Sequence, residues 1–238
     1  MRLRGLHWFM PHQPAAAVAP PALPPGYHVK LETVSGSGAD LTLRCLLDRV
    51  QYHDPHGEAE RAGICPASWP MFGLLWPSGQ VLAGLMAKYE LAGRRVLELG
   101  CGLGLASLVV HRRGGDVTAS DCHPLAPLFL ADNVALNGLP AMKYSAAHWG
   151  RDNPALGRFD VIIGSDVLYD RTQPEQLSRF IDRHSERCVD VLIVDPGRGN
   201  QSSFSRKMGV LGYSHVAKQV RCLPDGIPFK GQLHRYRR

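Results

Sequence analysis

The sequence predicts an α/β fold in which helices cover both faces of a largely parallel sheet. Three observations predict it. Strand-like and helix-like patterns alternate from about residue 94 to the end. One short apolar strand runs directly into Gly100, Gly102 and Gly104 and then into a helical pattern. Finally, 238 residues at 45% hydrophobic and 20% charged are enough for one sizeable α/β core or two small ones.

Residues 1–26 hold six prolines, several alanines and no acid, so neither helix nor strand is expected and a disordered tail is predicted. Residues 27–75 form an N-terminal extension. Within it, YHVKLETV and LTLRCLL, joined by SGSGAD, read as a β-hairpin. Residues 48–70 are polar and irregular, with a short helix around Pro55–Ala62. The main domain spans 76–238. After Trp76-Pro77, GQVLAGLMAKYEL has helical spacing. Then follow the strand RRVLELG, the helix LGLASLVVHRR, the strand in GGDVTASD and the helix PLAPLFLADNVALNG, which stops at Asn137-Gly138. MKYSAAH and FDVIIGSD are strands, TQPEQLSRFIDRHS a helix, VDVLIVDP a strand and QSSFSRKMGVLG a helix. YSHVAKQVRCL and PFKGQLHRYRR close the sheet as two more strands.

Composition narrows the function. No apolar run approaches the roughly 20 residues needed to span a bilayer. The six cysteines lack C-x-x-C spacing, and with no signal peptide they point to reduced thiols and a cytoplasmic location. No H-E-x-x-H or other metal-ligand spacing occurs among the eleven histidines. Net charge is +6, and the stretch from Arg198 to Arg238 carries nine Lys or Arg against the single acid Asp225. That basic segment is either a solvated surface or an attractor of acidic protein or nucleic acid.

The glycine run can serve a ligand in two ways. Glycine permits positive φ in a tight strand-to-helix turn and leaves bare backbone for close approach. The dinucleotide spacing G-x-G-x-x-G/A fails here. Counting six from Gly100 reaches Leu105, and counting six from Gly102 reaches Ser107. A phosphate-binding P-loop also fails, because no Gly-Lys-Ser/Thr follows. Asp121 ends the next strand, where a carboxylate can accept both hydroxyls of a ribose. Asp166 and Tyr169 follow the strand FDVIIGS, at the carboxyl edge where open parallel sheets bind ligands.

VLELGCGLG, the strand-end Asp121 and FDVIIGSDVLYD together resemble the seven-stranded S-adenosylmethionine-dependent methyltransferases. D-V-L-Y is similar to the D-x-x-Y signature of the branch that holds many protein lysine methyltransferases. WPSGQ, AHWG at 147–150 and VDPGRG at 194–199 add similarity to the electron-transfer-flavoprotein beta-subunit lysine methyltransferases. The resemblance covers roughly residues 70–200 and implies a Rossmann-like, doubly wound sheet of seven strands with the last one antiparallel. It implies S-adenosylmethionine as cofactor and a protein substrate. It also implies roles for particular residues. Gly100, Gly102 and Gly104 would bend around the methionine part of the cofactor, with Cys101 in the same turn. Glu98 would face its ammonium, Asp121 its ribose, and Trp149 its adenine. Ser165 would line that pocket through its backbone, and Trp76 would reach it from the N-terminal side. Asp166 and Tyr169 would act on the methyl acceptor. His148 departs from the pattern, standing where this branch often has Asp.

If the acceptor is a lysine amine, it arrives as ammonium and must shed a proton, since its reference pKa is near 10.4. An apolar channel favours the neutral amine, and Asp166 and Tyr169 are placed to orient it. No residue is assigned as general base. Arg198 either faces the substrate entrance or pairs with a nearby acid. The alternative activities are methylation of a small, nicotinamide-like molecule, methylation of a nucleic acid, or a binding module without turnover. The nucleic-acid reading is weakened because S-D-V-L-Y replaces the N-P-P-Y or D-P-P-Y that shapes a pocket for a flipped base.

Overall fold

The computed structural model describes residues 26–238; the tail expected over 1–26 lies, but for Gly26, outside them. The hairpin is β1 (Val29–Val34) and β2 (Leu41–Leu46), paired antiparallel with Val29 opposite Leu46. A one-turn helix α1 (Glu58–Arg61) and a 3-10 turn (Trp69–Gly73) follow; the 3-10 turn lies where the sequence suggested only irregular chain. The main domain runs α2 (Pro77–Met86), β3 (Arg95–Leu99), α3 (Leu105–Arg112), β4 (Asp116–Asp121), α4 (Ala126–Leu136), β5 (Lys143–Ala146) and β6 (Phe159–Ser165). It continues through α5 (Gln173–His184), β7 (Ser185–Asp195), α6 (Gln201–Val210), β8 (Ser214–Cys222) and β9 (Pro228–Arg237).

The seven strands are ordered β5-β4-β3-β6-β7-β9-β8. Pairings from β5 to β7 are parallel, while β9 inserts antiparallel between β7 and β8. The expected antiparallel last strand is therefore present, inside the sheet rather than at its edge. Strands β3 and β6 lie side by side although α3, β4, α4 and β5 separate them in sequence. Strand order reverses there, so the crevice opens above their carboxyl ends. Strands β3, β6 and β7 are buried along most of their length because helices cover both faces.

Two apolar clusters result. One joins the hairpin, the Trp69–Gly73 turn, α2, α3 and one face of the sheet; the other joins α5, α6 and the opposite face. Buried polar groups dock the hairpin. Asn133 of α4 accepts Arg44 N–H at 2.7 Å, and Asn137 both accepts Thr42 N–H at 2.9 Å and donates to Thr42 C=O at 2.7 Å. The Arg44 guanidinium meets fully buried Asp132 at 2.9 Å. Polar residues in α4 and at its C-terminal end thus satisfy a strand edge that would otherwise be left unpaired.

Much of the C-terminal positive charge is neutralised inside the fold. Arg235 and Arg237 both bond Asp190, Arg238 bonds Asp182, and Lys207 bonds Glu175. Among the described residues no helix is long and apolar enough to cross a membrane.

Candidate active site

The strand-to-helix turn after β3 takes the conformation its glycines allow. Gly100, Gly102 and Gly104 have φ of 58°, 51° and 77°, the left-handed region where a Cβ is strained. A Cβ on Gly104 would lie 2.2 Å from Leu130 Cδ1. On Gly100 it would fill the gap between Val167, at 3.1 Å, and the Trp149 ring edge, at 3.6 Å. That bare backbone is a cradle which any side chain would close, and it lies beside the tryptophan expected to meet an adenine.

Asp121 ties the cradle to β4. Its Oδ2 accepts Gly102 N–H at 2.9 Å and its Oδ1 accepts His123 N–H at 2.8 Å. Each oxygen keeps a lone pair for a further donor, as binding two ribose hydroxyls requires. Burial raises the Asp121 pKa above its ordinary value, and the N–H groups of His123 and Gly102 oppose that rise. Tyr144 O–H donates to the Asp121 carbonyl at 3.1 Å, and Cys101 N–H donates to Ser120 C=O at 2.9 Å.

Glu98 is 3% exposed, and its Oε2 accepts both Ser107 N–H, at 2.8 Å, and Ser107 O–H, at 2.5 Å. It thereby holds the first turn of α3, an attachment that sequence reasoning missed. Burial pushes its pKa up to about 7. Burial drives the Cys101 thiol far above its ordinary value, so no thiolate stands in the loop.

Across the crevice, β6 ends in Ser165 and Asp166. With φ 54°, Asp166 is the only non-glycine residue at positive φ among those described. Its N–H donates to Val194 C=O at 2.9 Å. Its carboxylate sits in the fork of Arg198, with Nε to Oδ1 at 2.9 Å and Nη2 to Oδ2 at 2.8 Å. Of the two readings of Arg198, pairing with an acid is the one observed. The guanidinium also lies over the Trp76 ring, 6.0 Å from its centroid, and Trp76 Nε1–H donates to Met71 C=O at 2.8 Å.

The loop that carries Arg198 is itself built. Asp195, buried at the end of β7, accepts Gly197 N–H at 3.0 Å, and Asn200 donates to Leu168 C=O at 2.8 Å. In D-V-L-Y, Val167 and Leu168 are buried while Tyr169 is half exposed. Burial, with Cys122 and Asp121 nearby, pushes the Tyr169 pKa up to about 12, so the phenol stays neutral and can donate. Behind the Arg198 loop lies a cavity of about 280 Å³ lined by Asp195, Gly197, Gln201, Gln219 and Lys230.

Glu98, Gly100, Cys101, Gly102, Gly104, Asp121 and Trp149 gather at the glycine turn. Asp166 and Tyr169 follow Ser165 at the end of β6, and Trp76 lies against the guanidinium that Asp166 holds. Comparison with known proteins decides what this arrangement belongs to. A lysine methyltransferase family profile matches residues 71–208. The chain belongs to that family. It is 30% identical over 182 residues to the electron transfer flavoprotein beta subunit lysine methyltransferase of Mus musculus, covering 72% of this chain and 68% of that protein. It is 27% identical to the calmodulin-lysine N-methyltransferase of Arabidopsis thaliana, covering 59% and 51% respectively. In fold it is similar to magnesium protoporphyrin IX methyltransferase from Synechocystis, solved with bound S-adenosylmethionine. That match has a TM-score of 0.54 and 16% identity, and covers 68% of this chain and 80% of that one. The chain is an S-adenosylmethionine-dependent methyltransferase acting on protein lysine.

Proposed function

We propose that this methyltransferase modifies a lysine side chain of a protein at the crevice between the glycine turn and Asp166. The reading is supported above all by one juxtaposition: the Asp166–Arg198 pair stands at the end of β6, and three residues on the Tyr169 phenol lies near Asp121 and Cys122. Gly100, Gly102, Gly104, Asp121, Trp149, Ser165 and Trp76 would hold S-adenosylmethionine, with Glu98 and Cys101 shaping the turn from below. When bound, that cofactor supplies a methyl group already activated for transfer. What remains for the chain is alignment and the exclusion of water. Val167 stands beside the bare backbone of Gly100, and apolar surroundings there disfavour an ammonium. Asp166 and the Tyr169 phenol oxygen accept the two N–H hydrogen bonds of the neutral amine, so that its lone pair can be aimed into the crevice.

We also place the enzyme in the cytoplasm, a reducing compartment suited to its six free cysteines. Fractionation of the source cells, with the protein recovered from an organelle instead, would overturn that.

The function is tested by incubating the enzyme with methyl-labelled cofactor and a lysate of its own source, then separating the products on a gel. A discrete protein band whose label maps to lysine supports the proposal. Label confined to small solutes, or removed by nuclease, overturns it. An electron transfer flavoprotein beta subunit, the substrate named for the mouse relative, is the first purified acceptor to try.

A further inference from the structure

We propose that Arg198 sets the protonation state in which the acceptor lysine is held. By filling the fork of Asp166, it leaves that carboxylate able to accept hydrogen bonds from a neutral amine but without the free negative charge that would retain an ammonium. The inference rests on the function proposed above and deepens it.

The geometry is specific. Both Asp166 oxygens are taken, at 2.9 and 2.8 Å, by the two prongs of one guanidinium, the bidentate arrangement only arginine makes. Neither partner is free to drift. Asp166 is fixed by its left-handed backbone and its bond to Val194, and the Arg198 loop by Asp195 and Asn200. The Trp76 ring backs the guanidinium. A carboxylate offers about four lone-pair sites, and the fork uses two, so two remain for an amine.

The charge argument follows. A lone Asp166 would be a counter-ion for lysine, and an opposite charge at contact distance raises a lysine pKa by about 1–3 units. Lysine then stays protonated, with no lone pair to attack. The Asp166–Arg198 pair is neutral overall, and its guanidinium repels a second cation. The lysine proton leaves to bulk water as the amine enters. Other ionisable groups near the pair are Tyr169 and Asp170 after β6, Asp195 at the end of β7, Asp121 and Cys122 after β4, and Lys230 of β9 along the adjoining cavity. Helix α2 contributes no ionisable residue. Of these, Asp195 also feels the Arg198 guanidinium, so the Arg198→Gln profile is measured in the Asp195→Asn background as well, and a shift that survives there belongs to Arg198 acting on the acceptor.

The experiment uses the acceptor protein purified from the labelled lysate band. Single-turnover methyl transfer is followed from pH 6.5 to 10 for the parent enzyme, Arg198→Gln and Arg198→Lys. Proton release on acceptor binding is measured separately by calorimetry at pH 8, in buffers of different ionisation enthalpy, with enzyme loaded with S-adenosylhomocysteine. Arg198→Gln is expected to shift the acid limb of the rate profile by about one unit or more toward alkaline pH. Its rate should be about tenfold low at pH 7 and converge on the parent rate at pH 10. Arg198→Lys keeps the charge and should keep the limb. At pH 8 the parent enzyme should release about half a proton more per acceptor bound than Arg198→Gln. Parallel profiles with a uniform loss of rate would make Arg198 merely structural and overturn the proposal. So would acceptor binding to the parent enzyme without proton release, a result that needs no variant to fold. A parent enzyme that labels no lysine at all instead fails the function itself.

Discussion

The carbonyl oxygen of Phe72 lies 2.6 Å from the point where a Cβ on Gly102 would stand. Phe72 belongs to the Trp69–Gly73 turn of the N-terminal extension, and Gly102 is the middle glycine of the cofactor turn. The extension therefore closes directly over the loop and is a wall of the site. Aromatic packing fixes that wall: Phe72 stacks on His123 at 3.7 Å and meets Phe129 edge-on at 5.1 Å. His123 follows Asp121 by two residues, so the extension packs both on the glycine turn and on the chain just after Asp121.

Gly102→Ala should therefore disable the turn. The added methyl meets backbone, which cannot swing aside, at a φ of 51° that already strains any side chain. A stability loss of about 2–4 kcal/mol is expected, with cofactor binding abolished. Gly63→Ala is the control. Its φ is 77° but nothing lies within 4 Å, so strain alone applies, about 1 kcal/mol. Thermal melts and calorimetry with S-adenosylhomocysteine read both variants; equal losses would show that the Phe72 contact contributes nothing.

Glu98 predicts a pH dependence of stability. Its pKa is about 7 in the fold against an ordinary 4.5. The folded protein thus resists ionising a group that the unfolded chain ionises readily. The stability contribution is complete below about pH 4.5 and is lost as pH rises through 7, to an extent on the order of 3 kcal/mol. In Glu98→Gln, the amide oxygen can still accept both bonds from Ser107 but cannot ionise. Its melting temperature should hold between pH 5 and 8, where the parent enzyme drops by several degrees relative to it. If the two curves run parallel, Glu98 is not the group responsible.

Asp190 works in the opposite direction. Burial alone would raise its pKa, but bonds from Arg235, Tyr89 and Arg94 outweigh that and hold it below the ordinary value. A lowered carboxyl stabilises above its unfolded pKa and loses that contribution as pH falls through the folded one, so acid should loosen the β7–β9 seam first. Asp190→Ala leaves Arg94, Arg235 and Arg237 without their shared anion, and a loss of about 3–5 kcal/mol is expected by chemical denaturation. A loss under about 1 kcal/mol would show that water serves these arginines equally well.

What was legible in the sequence was local. Periodicity gave the strands and helices, and the glycine spacing, strand-end Asp121 and D-V-L-Y placed both halves of the crevice. What escaped was long-range pairing. Arg198 and Asp166 are 32 residues apart and meet only because β6 and β7 are neighbours. Phe72 reaches Gly102 through a 3-10 turn that has no apolar period to announce it. The C-terminal basic excess read either as a solvated surface or as an attractor of acidic partners, and neither reading foresaw that Asp190 and Asp182, encoded before it, pair with Arg235, Arg237 and Arg238. Charge counts along a segment cannot reveal partners that topology delivers from elsewhere.

Asp166 and Tyr169 separate by experiment because their protonation behaves differently. Asp166→Ala removes the acceptor for the amine, frees Arg198 and relaxes the strained backbone only slightly. Methyl transfer should fall about 10²-fold or more while cofactor affinity is unchanged. Tyr169, with its pKa near 12, stays a phenol throughout the assay range. Tyr169→Phe should therefore lower the rate by the same factor at every pH and leave the profile's shape intact. Tyr169→Ala, which also removes the ring, should lower it further. An alkaline limb in the parent that Tyr169→Phe loses would show that the phenol ionises in the assay range, and a Tyr169→Phe or Asp166→Ala enzyme at full rate would remove the residue concerned from the reaction.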